Sequence, residues 1–312
     1  MTIYSIKDLE QLSGIKAHTL RIWEQRYNFI NPKRTGTNIR YYNGDDLKLI
    51  LNISLLKDNG YKISKISDMT PEQMKEAVLE ISDKSIGKPE QIYSLTLSML
   101  DMDEDRFEKI IATNILQLGF EKCMSDIIYP FFIRLGVLWQ TGSINPAHEH
   151  FISNLVRQKL IVAIDNQHNP SDEEAERFML FTPEGELHEI SLLFACYMLK
   201  KRKKKVYYLG QSLPADDLES VYKIHEPHYL MTVITSQPGQ SEVQDYINNL
   251  GKKFPDAKVL VTGPQVVAQG LSTPSNVHIM GKIEDLNDII ENGIPSSPDD
   301  GMQMEEIFNT DW

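Results

Sequence analysis

The segment Thr182-Pro183-Glu184-Gly185-Glu186-Leu187-His188 places a carboxylate two residues before an imidazole. One ring nitrogen of a histidine can ligate a metal while a carboxylate holds the other, which fixes the tautomer and raises the basicity of the donor. Glu186 and His188 are therefore candidate parts of a metal centre, with His188 as the ligand. Alone, a Glu-x-His pair is also the pattern of a surface ion pair or a helix cap. A second group is cationic. Lys16, His18, Thr19, Arg21 and Arg26 cluster on or beside one helical pattern, and Lys33, Arg34 and Arg40 follow within a short polar stretch. Such side chains on an exposed helix face suit base edges and phosphates. Cys123 and Cys196 sit inside apolar helical patterns and read as buried small hydrophobes, not as a disulfide or a thiolate site. The sequence has no Walker loop, zinc-spaced cysteine set or nucleophile elbow, and a non-enzyme is expected.

The elements that must position these residues follow from periodicity. Ser5 can cap a helix over 6–12, Gly14 supplies a turn, and 17–27 forms a second helix with Leu20, Trp23 and Tyr27 at core spacing. Residues 33–40 resemble a hairpin wing whose Gly and Asn make the turn. Another helix opens at Asp45 with Leu47, Ile50, Leu51, Ser54 and Leu55 on one face, and a short helix starts at Ser64. From 71 to 165 the pattern is helical, with stripes Ile110, Ile111, Leu116 and Ile127, Phe131, Leu135, Leu138. Pro130 should bend its helix, and Asn145-Pro146 should start another. Beyond a polar linker at 166–177, five short apolar runs at 178–182, 206–209, 229–235, 259–262 and 277–280 alternate with helical patterns at 188–201, 214–224, 241–253, 264–271 and 283–291. That alternation predicts a doubly wound parallel five-stranded sheet of the Rossmann or flavodoxin kind, with ligands at the C-terminal strand ends.

The fold class expected is thus multidomain α plus α/β: a winged helix-turn-helix over 1–75, a helical bundle over 76–166, the sheet over 177–293, and an acidic, disordered tail over 294–312. The chain has 312 residues, 41% hydrophobic and 24% charged, which fits a globular protein. Its longest apolar run, 190–199, is too short to span a bilayer, and no signal peptide opens the chain, so a cytoplasmic protein without a membrane partner is expected. The net charge of −12 argues against nucleic acid as a whole. Its distribution does not: residues 1–50 carry eight Lys or Arg against five acids, while 284–312 carry nine acids and no Lys or Arg. The run Lys200 to Lys205 at a helix end is explained by solvation and dipole complementation.

The stretches Tyr4-Ser5-Ile6, Thr19 to Tyr27, Pro32 to Thr35, Ile39 to Tyr42 and Asp45-Asp46-Leu47 resemble the winged-helix head of MerR regulators. The resemblance implies binding of double-stranded promoter DNA by a dimer or higher homo-oligomer, with base or phosphate contacts from Arg21, Arg34 and Arg40, and Tyr41 packing the wing and contacting the DNA backbone. Residues 182–219, including Val206 to Gly210 and Asp216 to Leu218, are similar to the cobalamin-binding domain of the CarH and LitR branch. Trp139, Gly142, Glu149, His150 and Ser153 resemble that branch's tryptophan followed ten residues later by Glu-His. This implies adenosylcobalamin as cofactor, a bundle that caps it, His188 on cobalt, and Trp139, Glu149 and His150 on the adenosyl side.

The departures from the branch are also informative. Its cobalamin domains carry a glycine three residues after the histidine, a later serine, and a Gly-Gly pair that leave room for the nucleotide tail. This chain has Ser191, Ser236 and Thr262-Gly263 at those places, and the β-branched Thr262 narrows the channel. Light-sensing relatives carry a second histidine after the tryptophan, whereas this chain has Gln140, with His148 nearby in sequence. Two functions stay open: a DNA-binding regulator controlled by cobalamin through assembly, and a MerR-type regulator whose module binds no cofactor and serves oligomerisation or partner binding. A corrinoid methyl carrier is disfavoured because no substrate domain remains once the head is assigned.

Overall fold

The computed structural model describes residues 4–27, 29–30, 32–34, 40–84, 88–140, 145–167, 175–267 and 269–294. The wing tip, part of the 166–177 linker and the acidic tail lie outside them. Packing divides the chain into two units, residues 1–155 and 156–312.

In the first unit, helices α1 (Ile6–Ser13) and α2 (Ala17–Tyr27) precede a two-stranded antiparallel wing, β1 (Lys33–Arg34) and β2 (Arg40–Tyr41), and then α3 (Gly44–Asp58) and α4 (Ile63–Ser67). A capping box of Ser5 with Asp8 starts α1, and Gly14 at φ 71° ends it. The α2 N-terminus has a cap that its own sequence does not announce, because Glu10 on α1 accepts the Ala17 N–H at 3.1 Å. Asn43, with Asp46, caps α3 two residues before the expected start. Leu9, Leu20, Trp23, Tyr42, Leu47 and Ile50 form the small core of this region.

The bundle comprises α5 (Pro71–Lys84), α6 (Lys88–Asp101), α7 (Glu104–Leu118), α8 (Phe120–Cys123), α9 (Tyr129–Gln140) and α10 (Pro146–Asp165). Pro130 lies inside an unbroken helical run, in which α8, a π-helical turn and α9 follow one another from Phe120 to Gln140. It is the second residue of α9, and a π-helical turn over Met124–Ile128 precedes it, so the missing N–H falls where the hydrogen-bond ladder has already changed register. Asn145 caps α10 through the Ala147 N–H at 2.9 Å. Ile110, Ile111, Ile127, Phe131 and Leu135 are buried as expected, but Leu116 is 88% exposed, because it lies roughly 120 to 140° around α7 from Ile110 and Ile111. Cys123 and Cys196 are free and buried, and burial raises their thiols to about 12 and about 11, consistent with inert hydrophobes.

The second unit begins within α10, at Val156, and continues into the sheet: β3 (Arg177–Pro183), α11 (Ile190–Lys201), β4 (Lys205–Leu213), α12 (Ala215–His225), β5 (Tyr229–Val233), α13 (Val243–Lys253), β6 (Lys258–Thr262), α14 (Pro264–Val267), β7 (Val277–Ile279) and α15 (Asp285–Asn292). The helix expected to reach residue 271 ends at Val267. All pairings are parallel, in the order β4-β3-β5-β6-β7. One core joins Met179, Phe181, Leu230, Val259 and Val261 to Leu218 of α12, Ile247 of α13 and Phe254 just after it. Helix α11, buried from Leu192 to Leu199, packs with α15. The chain leaves β3 for β4 on one side and later adds β5 on the other, so the switch point lies between the ends of β3 and β5. Among the described residues no helix is long and apolar enough to cross a membrane.

Candidate functional site

At that switch point the loop after β3 turns at Gly185, whose φ of 81° favours glycine. The turn delivers Glu186 into the structure with no exposed surface. Three successive backbone N–H groups from the end of β5, those of Thr235, Ser236 and Gln237, donate to Oε2 of Glu186 at 2.9, 2.5 and 3.0 Å. The other oxygen accepts the His188 backbone N–H at 3.0 Å and stands 2.6 Å from His188 Nδ1. Ser236 adds its hydroxyl at 3.3 Å. Burial pushes the Glu186 carboxyl up, but the hydrogen bonds from the His188 ring and from the backbone of Ser236, Gln237 and His188 outweigh it and hold the group well below the usual carboxylate range. An ionised Glu186 places the proton on Nδ1, which leaves the lone pair of the ring on Nε2. The His188 side chain is 62% exposed, so a fixed imidazole is presented outward from a buried anchor.

Two further anchors escaped the sequence. Glu189, 5% exposed, accepts from Arg157 Nε at 2.5 Å and from the Tyr208 hydroxyl at 2.7 Å, tying the residue after His188 to α10 and β4. Thr182 donates to the Glu186 carbonyl at 2.7 Å and accepts the Ser212 N–H at 3.0 Å. No spacing rule links 157, 189 and 208; only a buried acid beside the histidine could have prompted the search.

The small-residue positions divide. Ser236 joins the cluster, and Ser191 is a half-buried residue in the first turn of α11. Gly263 is obligatory: its φ is 117°, and a Cβ there would stand 2.3 Å from the Ile234 carbonyl oxygen. Thr262 is 4% exposed and its hydroxyl donates to the Met280 carbonyl at 2.9 Å, so the extra bulk is built into the β6–β7 ends. In the first unit, Trp139 and Gln140 end α9, with side chains outside the described residues. Glu149 and His150 occupy the first turns of α10, where Glu149 accepts from Ser153 and stands 3.5 Å from His150 Nε2. His148 is half-buried, and desolvation and Lys48 lower its pKa.

The cationic set falls on α2 and on the wing. On α2, His18, Arg21 and Arg26 are exposed and Thr19 half-buried, opposite buried Leu20 and Trp23, with exposed Lys16 just before the helix. Lys16 pairs with Glu10 at 3.3 Å. Lys33 and Arg34 are exposed on β1, aligned with Tyr41 and Arg40 on β2. Arg40 differs from the others, since its Nε lies 3.6 Å from Glu24, which is 7% exposed and also accepts from Tyr42. It fastens the wing to α2.

A winged helix-turn-helix with exposed cations on α2 and β1, a helical bundle, and a parallel sheet with a Glu-His pair at its switch point are the parts of a DNA-binding transcriptional regulator that carries a cobalamin-binding-type module. The comparisons agree with this class: residues 4–73 match the MerR HTH family regulatory protein model, and residues 91–163 match the B12 binding domain model. The chain is 25% identical over 258 residues to the HTH-type transcriptional repressor CarH of Myxococcus xanthus, covering 81% of this chain and 85% of that one. It is 26% identical over 217 residues to the repressor CarA of the same organism, covering 69% and 70%. A monomethylamine corrinoid protein of Methanosarcina barkeri shares the fold at TM-score 0.51 and 12% identity, over 65% of this chain and 98% of that one.

Proposed function

We propose that the chain is a cobalamin-responsive transcriptional repressor, which binds promoter DNA as a homo-oligomer, a dimer or tetramer, and takes adenosylcobalamin as its ligand. It works in the cytoplasm, divided as the sequence suggests into head, bundle, sheet and acidic tail. The observation that carries the proposal is the His188 imidazole, held at Nδ1 by a buried, ionised Glu186. A single protein imidazole fits a metal that its cofactor already ligates, so His188 would be the residue to hold it. The cofactor, when bound, supplies cobalt and the bond to its upper ligand. The chain would supply the rest: Nε2 of His188 would be the donor, Glu186 fixes the tautomer, and Ser236, Thr182 and Glu189 hold the loop. Trp139, Glu149 and His150, and Ser191, Thr262 and Gly263 on the nucleotide side, enter by resemblance. Ligand controls DNA occupancy only if it binds one assembly state better than another.

Absorbance of protein incubated with adenosylcobalamin in darkness and then desalted tests the proposal. Wild type should retain a shifted chromophore, His188→Ala should lose the shift, and Glu186→Gln should bind ~10 to 100-fold more weakly. The buried, hydrogen-bonded Thr262 favours a second reading, a cofactor-free module for oligomerisation or partner binding. Wild type that emerges colourless would select it.

A further inference from the structure

The exposed face of α2 contains side chains that phosphate binding does not account for. His18, Arg21, Ile22, Gln25 and Arg26 are all exposed. Their spacing of three, four, seven and eight residues from His18 is that of one helix face. Ile22 is 52% exposed at the centre of this cationic surface. A branched aliphatic side chain adds nothing to phosphate binding and gains nothing from water. The major groove offers one apolar feature of matching kind, the 5-methyl group of thymine. Gln25 lies one turn on, and its amide both donates and accepts, the complement of adenine N7 and N6.

We propose that α2 reads A·T base pairs, with Ile22 packed on a thymine methyl and Gln25 bonded to an adenine of the same or a neighbouring pair, while Arg21 and Arg26 bind beside them. The inference rests on the DNA-binding assignment of the head and adds the base identity to it. Both side chains point to solvent, so their truncation leaves the core of the head intact, as an unchanged melting temperature should verify.

Selection of duplexes from a random library with the full chain supplies the site. At the α2 footprint an A·T pair should be enriched. Replacing its thymine by uracil removes only the methyl and should cost wild type about fourfold in affinity, the value of one buried methyl group. The same replacement should cost Ile22→Ala nothing, and Ile22→Val should retain part of the discrimination. Replacing the adenine by 7-deazaadenine should weaken wild type by about 5 to 100-fold and leave Gln25→Ala indifferent. Absence of A·T enrichment, or equal penalties in wild type and variants, overturns the inference while duplex binding at low salt continues. Failure of wild type to bind any duplex at low salt overturns the head assignment and the inference with it.

Discussion

In the head, Arg21 and Arg26 stand on the exposed face of a single eleven-residue helix. In the sheet, Glu186 is fully buried and its partners come from a strand end fifty residues later. The head keeps its cations solvated and arranges them by local periodicity, so each should act nearly independently toward a polyanion. The sheet desolvates one charge and surrounds it with donors, so its members act as a unit. Substitutions should be graded and salt-dependent in the first region, and steep and cooperative in the second.

The sharpest break should come from Gly263→Ala. The new Cβ meets the Ile234 carbonyl at 2.3 Å in a left-handed conformation, and separating β5 from β6 should cost about 3 to 5 kcal/mol by urea unfolding of the sheet. An Ala variant within 1 kcal/mol of wild type would remove the close approach from the account.

Glu186→Gln should follow, at about 2 to 4 kcal/mol near pH 7, since an amide cannot satisfy donors gathered around a carboxylate. The folded carboxyl titrates below its unfolded value, so its contribution is fully present above the ordinary carboxylate range and declines as pH falls through it. Wild-type and Gln unfolding curves should therefore converge on acidification, and a gap independent of pH would show that the charge is not what stabilises.

Arg21→Ala should weaken operator binding by ~1 to 3 kcal/mol, or lower the salt slope by about one if it contacts phosphate, with unchanged stability. Unchanged affinity and slope would remove Arg21 from the interface.

The smallest effect separates two wing cations. Lys33→Ala, on an exposed strand, should reduce affinity by about 1 kcal/mol or less and leave the melting temperature alone. Arg40→Ala should lower both, because it leaves the nearly buried Glu24 without its cation. Equal melting temperatures for the two variants would erase the distinction.

Much of the head was legible because its order is local. Helix 17–27 and its buried Trp23 followed from spacing alone, and the cationic face came with them. The five strands were equally visible as apolar runs, and the loop holding Glu186 and His188 fell after the first of them as expected. Leu116 misled because, at about 100° per residue, it falls off the face that Ile110 and Ile111 share, so its apolar type did not belong to their stripe. The expectation of a DNA contact from Arg40 came from its charge and from the resemblance, and its pairing with Glu24 is a separate feature that depends on how the wing folds back on α2.

By itself the sequence determined the order of elements, the basic face of α2 and the Glu-x-His pair, all set by residue type and short spacing. The tertiary structure alone decided that strand β5 lies beside β3, which brings the N–H groups of Thr235, Ser236 and Gln237 onto Glu186. It also decided that Arg157 and Tyr208 share Glu189, and that Gly263 must be a glycine. These contacts join backbone and side chains across tens of residues, and chain topology fixes them, because the desolvation of a carboxylate is offset only where donors converge in space.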